Sequence, residues 1–181
     1  MNIEGVYYLE ILGYHTCKKS DDVLSKAPFL SGSGERIWLT QGYYFWTDST
    51  HHAHKWGQNS ISGDYSIVKC LISFENNSLE LLDLVGNVEH QIYFKKLIDK
   101  FIEEFGDENL SIRAVIMFLR NKALQNKAHF PFIAIKAKDE YNEERYSFVN
   151  VHTAVLRLIE RHQLCVFKEG KDKISTPTLE F

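Results

Sequence analysis

Residues 38–57 read WLTQGYYFWTDSTHHAHKWG, and the fold turns on how that stretch divides. Gly42 is followed by four aromatic residues in succession, Tyr43 to Trp46, and then by His51, His52 and His54. The segments on either side of Gln41-Gly42 read as strand, because aromatic and β-branched side chains suit a half-buried pleated surface. Gly42 supplies either a positive φ or a close backbone approach that no side chain would allow. Asp48 or Ser49 then caps a helix running to about Trp56. Adjacent histidines on a helix point in different directions, so the three read as a polar face and no metal is expected. Trp38, Phe45 and Trp56 are assigned mainly to core, as is Tyr43, which faces away from Tyr44 on the same strand.

Upstream, Val6 to Tyr14 reads as a strand rich in tyrosine and large apolar residues. Ser20 to Ala27 reads as a short helix, with a serine N-cap and two acids in its first turn, ending before Pro28. A glycine- and serine-rich loop, FLSGSGER, follows. Downstream, Tyr65 to Phe74 predicts a central strand, and the stretch from Ser78 predicts another after a polar turn.

The periodicity then changes. Phe94, Leu97, Ile98, Phe101, Ile102 and Phe105 make one apolar stripe at helical spacing, and Ile112, Val115, Ile116, Leu119 and Ala123 make a second. This predicts a helical hairpin inserted at about 87–128. Strands are expected again at Phe130–Ala137 and in RYSFVNV, then a helix from about His152 to Arg161, a last strand at Gln163–Phe167 and a peripheral tail. The whole is α+β in one domain spanning residues 1–181.

Composition narrows the function classes. The chain has 181 residues, 44% hydrophobic and 25% charged, which suffices for one ordinary core. A net charge of −3 gives no global attraction for a polyanion. Cys17, Cys70 and Cys165 are odd in number and far apart, as in a reducing compartment, and form neither a disulfide framework nor a zinc knuckle. No signal-like or membrane-spanning apolar run is seen, so the expectation is a cytoplasmic protein with no membrane contact. Dinucleotide-fold and P-loop glycine patterns are absent from the sequence.

His15 and Tyr44 are the informative polar residues, each placed where a strand end meets a helix start, the usual place for a cleft. A nucleophilic pairing of His15 with Cys17 is also open, although activation of a thiolate depends on geometry that i, i+2 strand neighbours rarely have. Taken as single residues, His15 can equally be a satisfied structural histidine, Tyr44 a packing tyrosine and Gln163 an edge-strand glutamine.

The succession GYHTCKKSDDVL, WLTQGYYFWTD, HHAHKW, SLELLDL and HQLCVF resembles the ADP-ribosyltransferase family in its diphtheria-toxin and poly-ADP-ribose-polymerase branch. In that branch a YHGT strand end is followed by a G-x-G-[IV]-Y-F strand and an A-x-x-[WY] helix, and a final strand brings a glutamate. Small bacterial and phage members carry WLG-x-G-x-Y-F and Q-[IL]-C-V blocks. The likeness runs in order along most of the chain. It implies an ADP-ribosyltransferase-like split β-sheet with an inserted helical hairpin and NAD as the substrate. His15 then matches the histidine on the nicotinamide-side ribose, Tyr44 the tyrosine that stacks on nicotinamide, and Gln163 the glutamate of the third motif, with the His15 imidazole and the Tyr44 phenol expected to meet across one shared crevice. Thr16 would read the nicotinamide amide through its backbone, and Gly42 would line the cofactor-binding strand.

Three positions depart from the pattern: Thr16 and Thr40 stand where the family has glycine, and Gln163 where it has glutamate. A glutamine can hydrogen-bond a ribose hydroxyl but cannot act as a base, which points to single transfer or hydrolysis rather than polymer elongation. Glu160 and Glu169 flank that strand as alternative carboxylates. The resemblance also implies a macromolecular acceptor, protein or nucleic acid, a toxin or phage-defence role, and a neutralising antitoxin as partner. Non-catalytic binding of NAD, ADP-ribose or a protein on the same fold is the other reading. Lys95, Lys96, Lys100, Arg113, Arg120, Lys122 and Lys127 on or beside the hairpin are a solvated face or an acceptor surface.

Overall fold

β1 (Tyr8–Lys18) and β3 (Tyr65–Glu75) pair antiparallel along their full length, from Tyr8 opposite Glu75 to Lys18 opposite Tyr65. This long pairing carries β1 past the expected end at Tyr14, because every added residue finds a partner on β3. The computed structural model describes residues 7–32, 34, 37–76, 79–106, 111–139, 144–147 and 155–181. Their order is β1, the single-turn α1 (Val23–Lys26), β2 (Tyr43–Thr47), α2 (His51–Ser60), β3, β4 (Leu81–Asp83), α3 (Val88–Phe105) and α4 (Ile112–Gln125). There follow β5 (Ala134–Asp139), β6 (Glu144–Ser147), β7 (Val155–Leu158), β8 (Arg161–Val166) and β9 (Thr178–Leu179).

Seven strands form one mixed sheet in the order β4-β5-β8-β2-β1-β3-β9, and β6 and β7 form a separate antiparallel pair. Among the described residues only the β4–β5 pairing in the large sheet is parallel. A parallel pair needs a long crossover, and the helical hairpin α3–α4 is that crossover. Its helices are capped by residues that the apolar stripes did not single out: the Asn87 side chain accepts from the His90 amide, that of Ser111 accepts from the Ala114 amide, and Gly106 ends α3 at φ 67°.

The hairpin is part of the main core. Phe94, Phe101, Val115, Ile116 and Leu119 are buried in one cluster with Leu39, Leu82, Ile135, Cys165 and Phe167 of the sheet side. Each such burial contributes about 1.5–3 kcal/mol, which holds α3 and α4 to one face. The opposite face buries Ile11, Phe45, Ile72, Phe74, Leu164 and Val166 under Leu30, Ile133 and Ile174. α2 lies beside the hairpin's face, with Ala53 buried among Tyr14, Trp46 and Ile67.

Several expectations change. Residues 37–42 are not strand, because their backbone is engaged elsewhere: Thr40 binds the Tyr44 hydroxyl and Gly42 binds Ser31. α2 continues beyond Trp56 to Ser60, since Gly57 lets the helix sit against the Tyr65 ring, where a Cβ would stand 2.5 Å from a ring carbon. Trp56 itself is 41% exposed and not core. The helix expected at His152–Arg161 is replaced, over Val155–Leu158, by a strand paired with β6, and Arg161 already opens β8. Residues 152–154 of that segment, and 148–151 of the RYSFVNV strand, lie outside the described residues. Tertiary pairing overrides the apolar spacing of so short a run. The tail is not peripheral: β9 pairs with β3, Lys69 binds Glu180 at 2.8 Å, and the Phe181 ring packs on His54 and Tyr65. β8 is therefore not the last strand. Among the described residues no helix is long and apolar enough to cross a membrane.

Candidate functional site

The three candidate residues stand on three neighbouring strands, His15 on β1, Tyr44 on β2 and Gln163 on β8. β1 and β2 register only at Gly13–Thr47 and Tyr14–Trp46. Beyond Tyr14 the two strands part, and the segment before β2 fills the place of the lost partner: Leu30 bridges to Tyr43, and the Ser31 amide donates to the Gly42 carbonyl at 2.9 Å.

His15 stands where β1 and β2 separate. Its Nδ1 lies 2.9 Å from the Tyr44 carbonyl oxygen, and its Nε2 accepts from the Phe29 amide at 3.3 Å. A carbonyl only accepts, so Nδ1 carries the proton and Nε2 offers the lone pair. Burial lowers the imidazole's pKa, and the Tyr44 carbonyl, which favours the charged form, only partly opposes it. The ring is thus neutral near pH 7, between Phe29 and Phe45 at centroid distances of 5.6 and 6.0 Å.

Tyr44 points the other way. Successive strand residues face opposite sides of a sheet, and Tyr44 packs with the hairpin core while Phe45 lies in the other cluster beside His15. The Tyr44 hydroxyl donates to the Thr40 carbonyl at 2.7 Å and accepts from the Thr40 amide at 3.1 Å. Burial, with Cys165 beside it, raises the phenol's pKa, and burial pushes the Cys165 thiol up to about 12, so both are protonated. The expectation that imidazole and phenol face each other across one crevice is not met. They are joined through the Tyr44 backbone, because an odd-numbered step along β2 sends its side chain to the far face.

Gly42 serves the close approach its residue type allows, and what approaches is β8: a Cβ there would lie 2.5 Å from Cys165 Sγ and 2.6 Å from the Val166 carbonyl oxygen. Its φ is not in the left-handed region. The Thr16 side chain is buried and donates to the Ala53 carbonyl at 3.0 Å, fastening β1 to α2. Gln163 is half-buried opposite Trp46 of β2 and shares the Tyr44 face. Its Oε1 accepts from the Trp38 indole at 2.7 Å. No spacing rule connects positions so far apart in the chain, so sequence reasoning had no means of finding Trp38.

The remaining candidates fall elsewhere. Cys17 is buried, its thiol donates weakly to the Ser66 carbonyl and burial raises its pKa, so it is no activated partner of His15. His51 is exposed, but His52 binds the carbonyls of Ile159 and Glu160, and His54 binds the Tyr65 hydroxyl at 3.0 Å. Two of the three histidines therefore clamp α2 to its neighbours. Among the described residues no three His, Cys, Asp or Glu side chains gather as a metal site.

Glu160 belongs to a charged array that the sequence did not reveal. Lys138 Nζ lies 2.6 Å from Glu160 Oε1, His162 Nε2 3.0 Å from Glu160 Oε2, and His162 Nδ1 and Lys136 Nζ lie 3.5 and 3.7 Å from Asp48 Oδ2. The Lys138 contact, then that of His162, holds the Glu160 carboxyl below its usual range. Asp48, directly after β2, has φ 71°, a conformation aspartate tolerates better than most residues. Glu169 is used otherwise, binding Arg120 of α4 through both oxygens at 3.0 and 2.9 Å. Two open depressions of about 430 and 400 Å³ occur at Ile37, Trp38 and Ser111–Arg113 and at Lys19–Ser25 with Ser66 and Leu179. Neither reaches His15 or Tyr44.

No protein-family model, no curated protein and no solved structure matches this chain.

Proposed function

We propose that this chain is an NAD-dependent mono-ADP-ribosyltransferase acting on a macromolecular acceptor, built on an ADP-ribosyltransferase-like split sheet. The observation that supports it most is the placing of the motif positions on the adjacent strands β1, β2 and β8, with β1 and β2 parting at the histidine. His15 is oriented there by the Tyr44 carbonyl, which leaves Nε2 as a lone-pair acceptor for a ribose hydroxyl. That atom now holds the Phe29 amide at 3.3 Å, a long bond that a ligand hydroxyl can replace.

NAD would be held by His15 and Gln163 at the nicotinamide-side ribose, and by the Thr16 backbone, Gly42 and Tyr44 at the nicotinamide end. When bound it supplies a glycosidic carbon that loses nicotinamide and accepts a nucleophile. In this chain the neutral imidazole fixes the sugar, and the amide at 163 orients it without acting as a base. Since Tyr44 and Gln163 lie on the sheet face opposite His15, the reading requires more than departure of the Phe29–Ser31 segment from the β1–β2 opening: β1 must turn relative to β2 and β8 for the three side chains to meet one NAD.

Non-catalytic binding on the same fold is the second reading. It is favoured by a specific fact: the third-motif position is a neutral glutamine whose oxygen is already occupied by Trp38. Free nicotinamide measured with NAD, in buffer and in lysate, separates the possibilities. Release that needs lysate supports transfer, release in buffer alone means hydrolysis, and no release with retained NAD binding leaves a binding module. His15→Ala and Tyr44→Ala should each reduce turnover severely, and wild-type rates in both would remove the proposal. Mass spectrometry of NAD-treated lysate protein and nucleic acid identifies the acceptor.

A further inference from the structure

Trp38 lies in the irregular segment before β2, and its indole Nε1–H meets Gln163 Oε1 at 2.7 Å. An indole is a donor only, so the atom it meets must be the amide oxygen, and the orientation of the Gln163 side chain follows from chemistry alone. The amide NH2 is then directed away from Trp38, and among the described residues no acceptor takes it. Both partners are half-buried, on the sheet face that carries Tyr44 and Trp46. The segment that holds Trp38 is itself fastened at Thr40, by the Tyr44 hydroxyl and by Arg120 Nη1 at 3.4 Å from Thr40 Oγ1.

We infer that Trp38 is a positioning residue that fixes Gln163 as a hydrogen-bond donor, so that position 163 presents its amide NH2 to an acceptor oxygen on the ligand's ribose. The identity of the ligand rests on the NAD reading above; the orientation does not. A donor at this position selects a sugar oxygen through its lone pair, whereas a carboxylate would select the hydroxyl's proton. Q163E keeps an oxygen for the indole and reverses the polarity of the free end. Q163L removes both. W38F keeps a ring in place and releases the amide to rotate.

The test is the indole N–H region of the ¹⁵N-correlated NMR spectrum, in which W38F assigns the Trp38 resonance. The expected result is that this resonance shifts and exchanges about tenfold faster with solvent in Q163L, while Q163E retains the wild-type protection. A Trp38 resonance unchanged in Q163L overturns the inference. On adding NAD, the Gln163 side-chain NH2 pair should shift in the wild type, and W38F should weaken NAD binding about five- to tenfold, the worth of one oriented hydrogen bond. NAD binding that leaves that pair unmoved also overturns it. If no variant binds NAD, the NAD reading fails, while a Q163L-sensitive, Q163E-restored indole still supports the fixed donor.

Discussion

His15 Nδ1 stands 2.9 Å from the Tyr44 carbonyl oxygen, so the two residues meet through a ring nitrogen and a backbone group and not through their rings. With Nε2 accepting from Phe29, the imidazole replaces two backbone partners just where β1 and β2 stop pairing. A buried backbone group left without a partner costs about 1–3 kcal/mol. His15→Leu should therefore lower the free energy of urea unfolding by about that amount, and His15→Asn, which can still donate to the Tyr44 carbonyl, should recover part of it. Equal midpoints for wild type and His15→Leu would show that the ring does not hold the opening together.

The same ring makes stability depend on pH. Burial depresses its folded pKa, so protons bind the unfolded chain more readily than the folded one. The stability it contributes is complete above the ordinary histidine value of about 6.5 and is lost as pH falls below that toward the folded value. His52 shifts in the same direction, chiefly by burial and then by His51, so the His15 contribution is isolated by comparison with His15→Asn. The unfolding free energy of the wild type should fall more steeply than that of His15→Asn between about pH 6.5 and 5. Parallel profiles would assign the slope to other groups.

Gly42 offers a test of packing. A Cβ at this position meets both a side chain, Cys165 Sγ at 2.5 Å, and backbone, the Val166 carbonyl oxygen at 2.6 Å. Gly42→Ala should destabilise the protein by about 1–3 kcal/mol, the usual range for overpacking. Adding Cys165→Ala relieves only the first clash, so the double variant should stay below Cys165→Ala alone. Full recovery in thermal or urea melts would mean that β8 yields to the methyl group at no cost.

The legible parts of the fold were those with strong local period. The stripes at Phe94–Phe105 and Ile112–Ala123 became α3 and α4, and Tyr65–Phe74 became β3 with one added residue. What the pattern could not show was what these elements were for: the hairpin is the crossover of the β4–β5 parallel pair, a fact of topology and not of periodicity. The tail failed for the same reason, since two strand residues have no period and are placed only by β3. At the site, strand character is legible around all three positions but their places within the strands are not: His15 lies inside β1 beyond the expected end at Tyr14, Tyr44 is the second residue of β2, and Gln163 is the third of β8. Their relative facing is not legible either, because it depends on register across β1, β2 and β8, and Trp38 and Thr40 act through contacts that residue type alone does not predict.

Gln163→Glu carries the most direct consequence for chemistry. The new carboxylate can accept the Trp38 indole with one oxygen, as the glutamine does now, and keeps a second oxygen free. If the ribose of NAD lies at this position, that oxygen places negative charge near a sugar that becomes cationic as nicotinamide leaves, an interaction stronger in the transition state than in the bound substrate. Nicotinamide release should then rise about tenfold or more over the wild type, with a smaller change in KM, since preorganised charge of this kind is commonly worth a factor of a hundred. Gln163→Ala, which removes both hydrogen-bonding ends, should fall below the wild type. Equal rates for Gln163→Glu and Gln163→Ala would place the reacting sugar away from β8 and withdraw position 163 from the site.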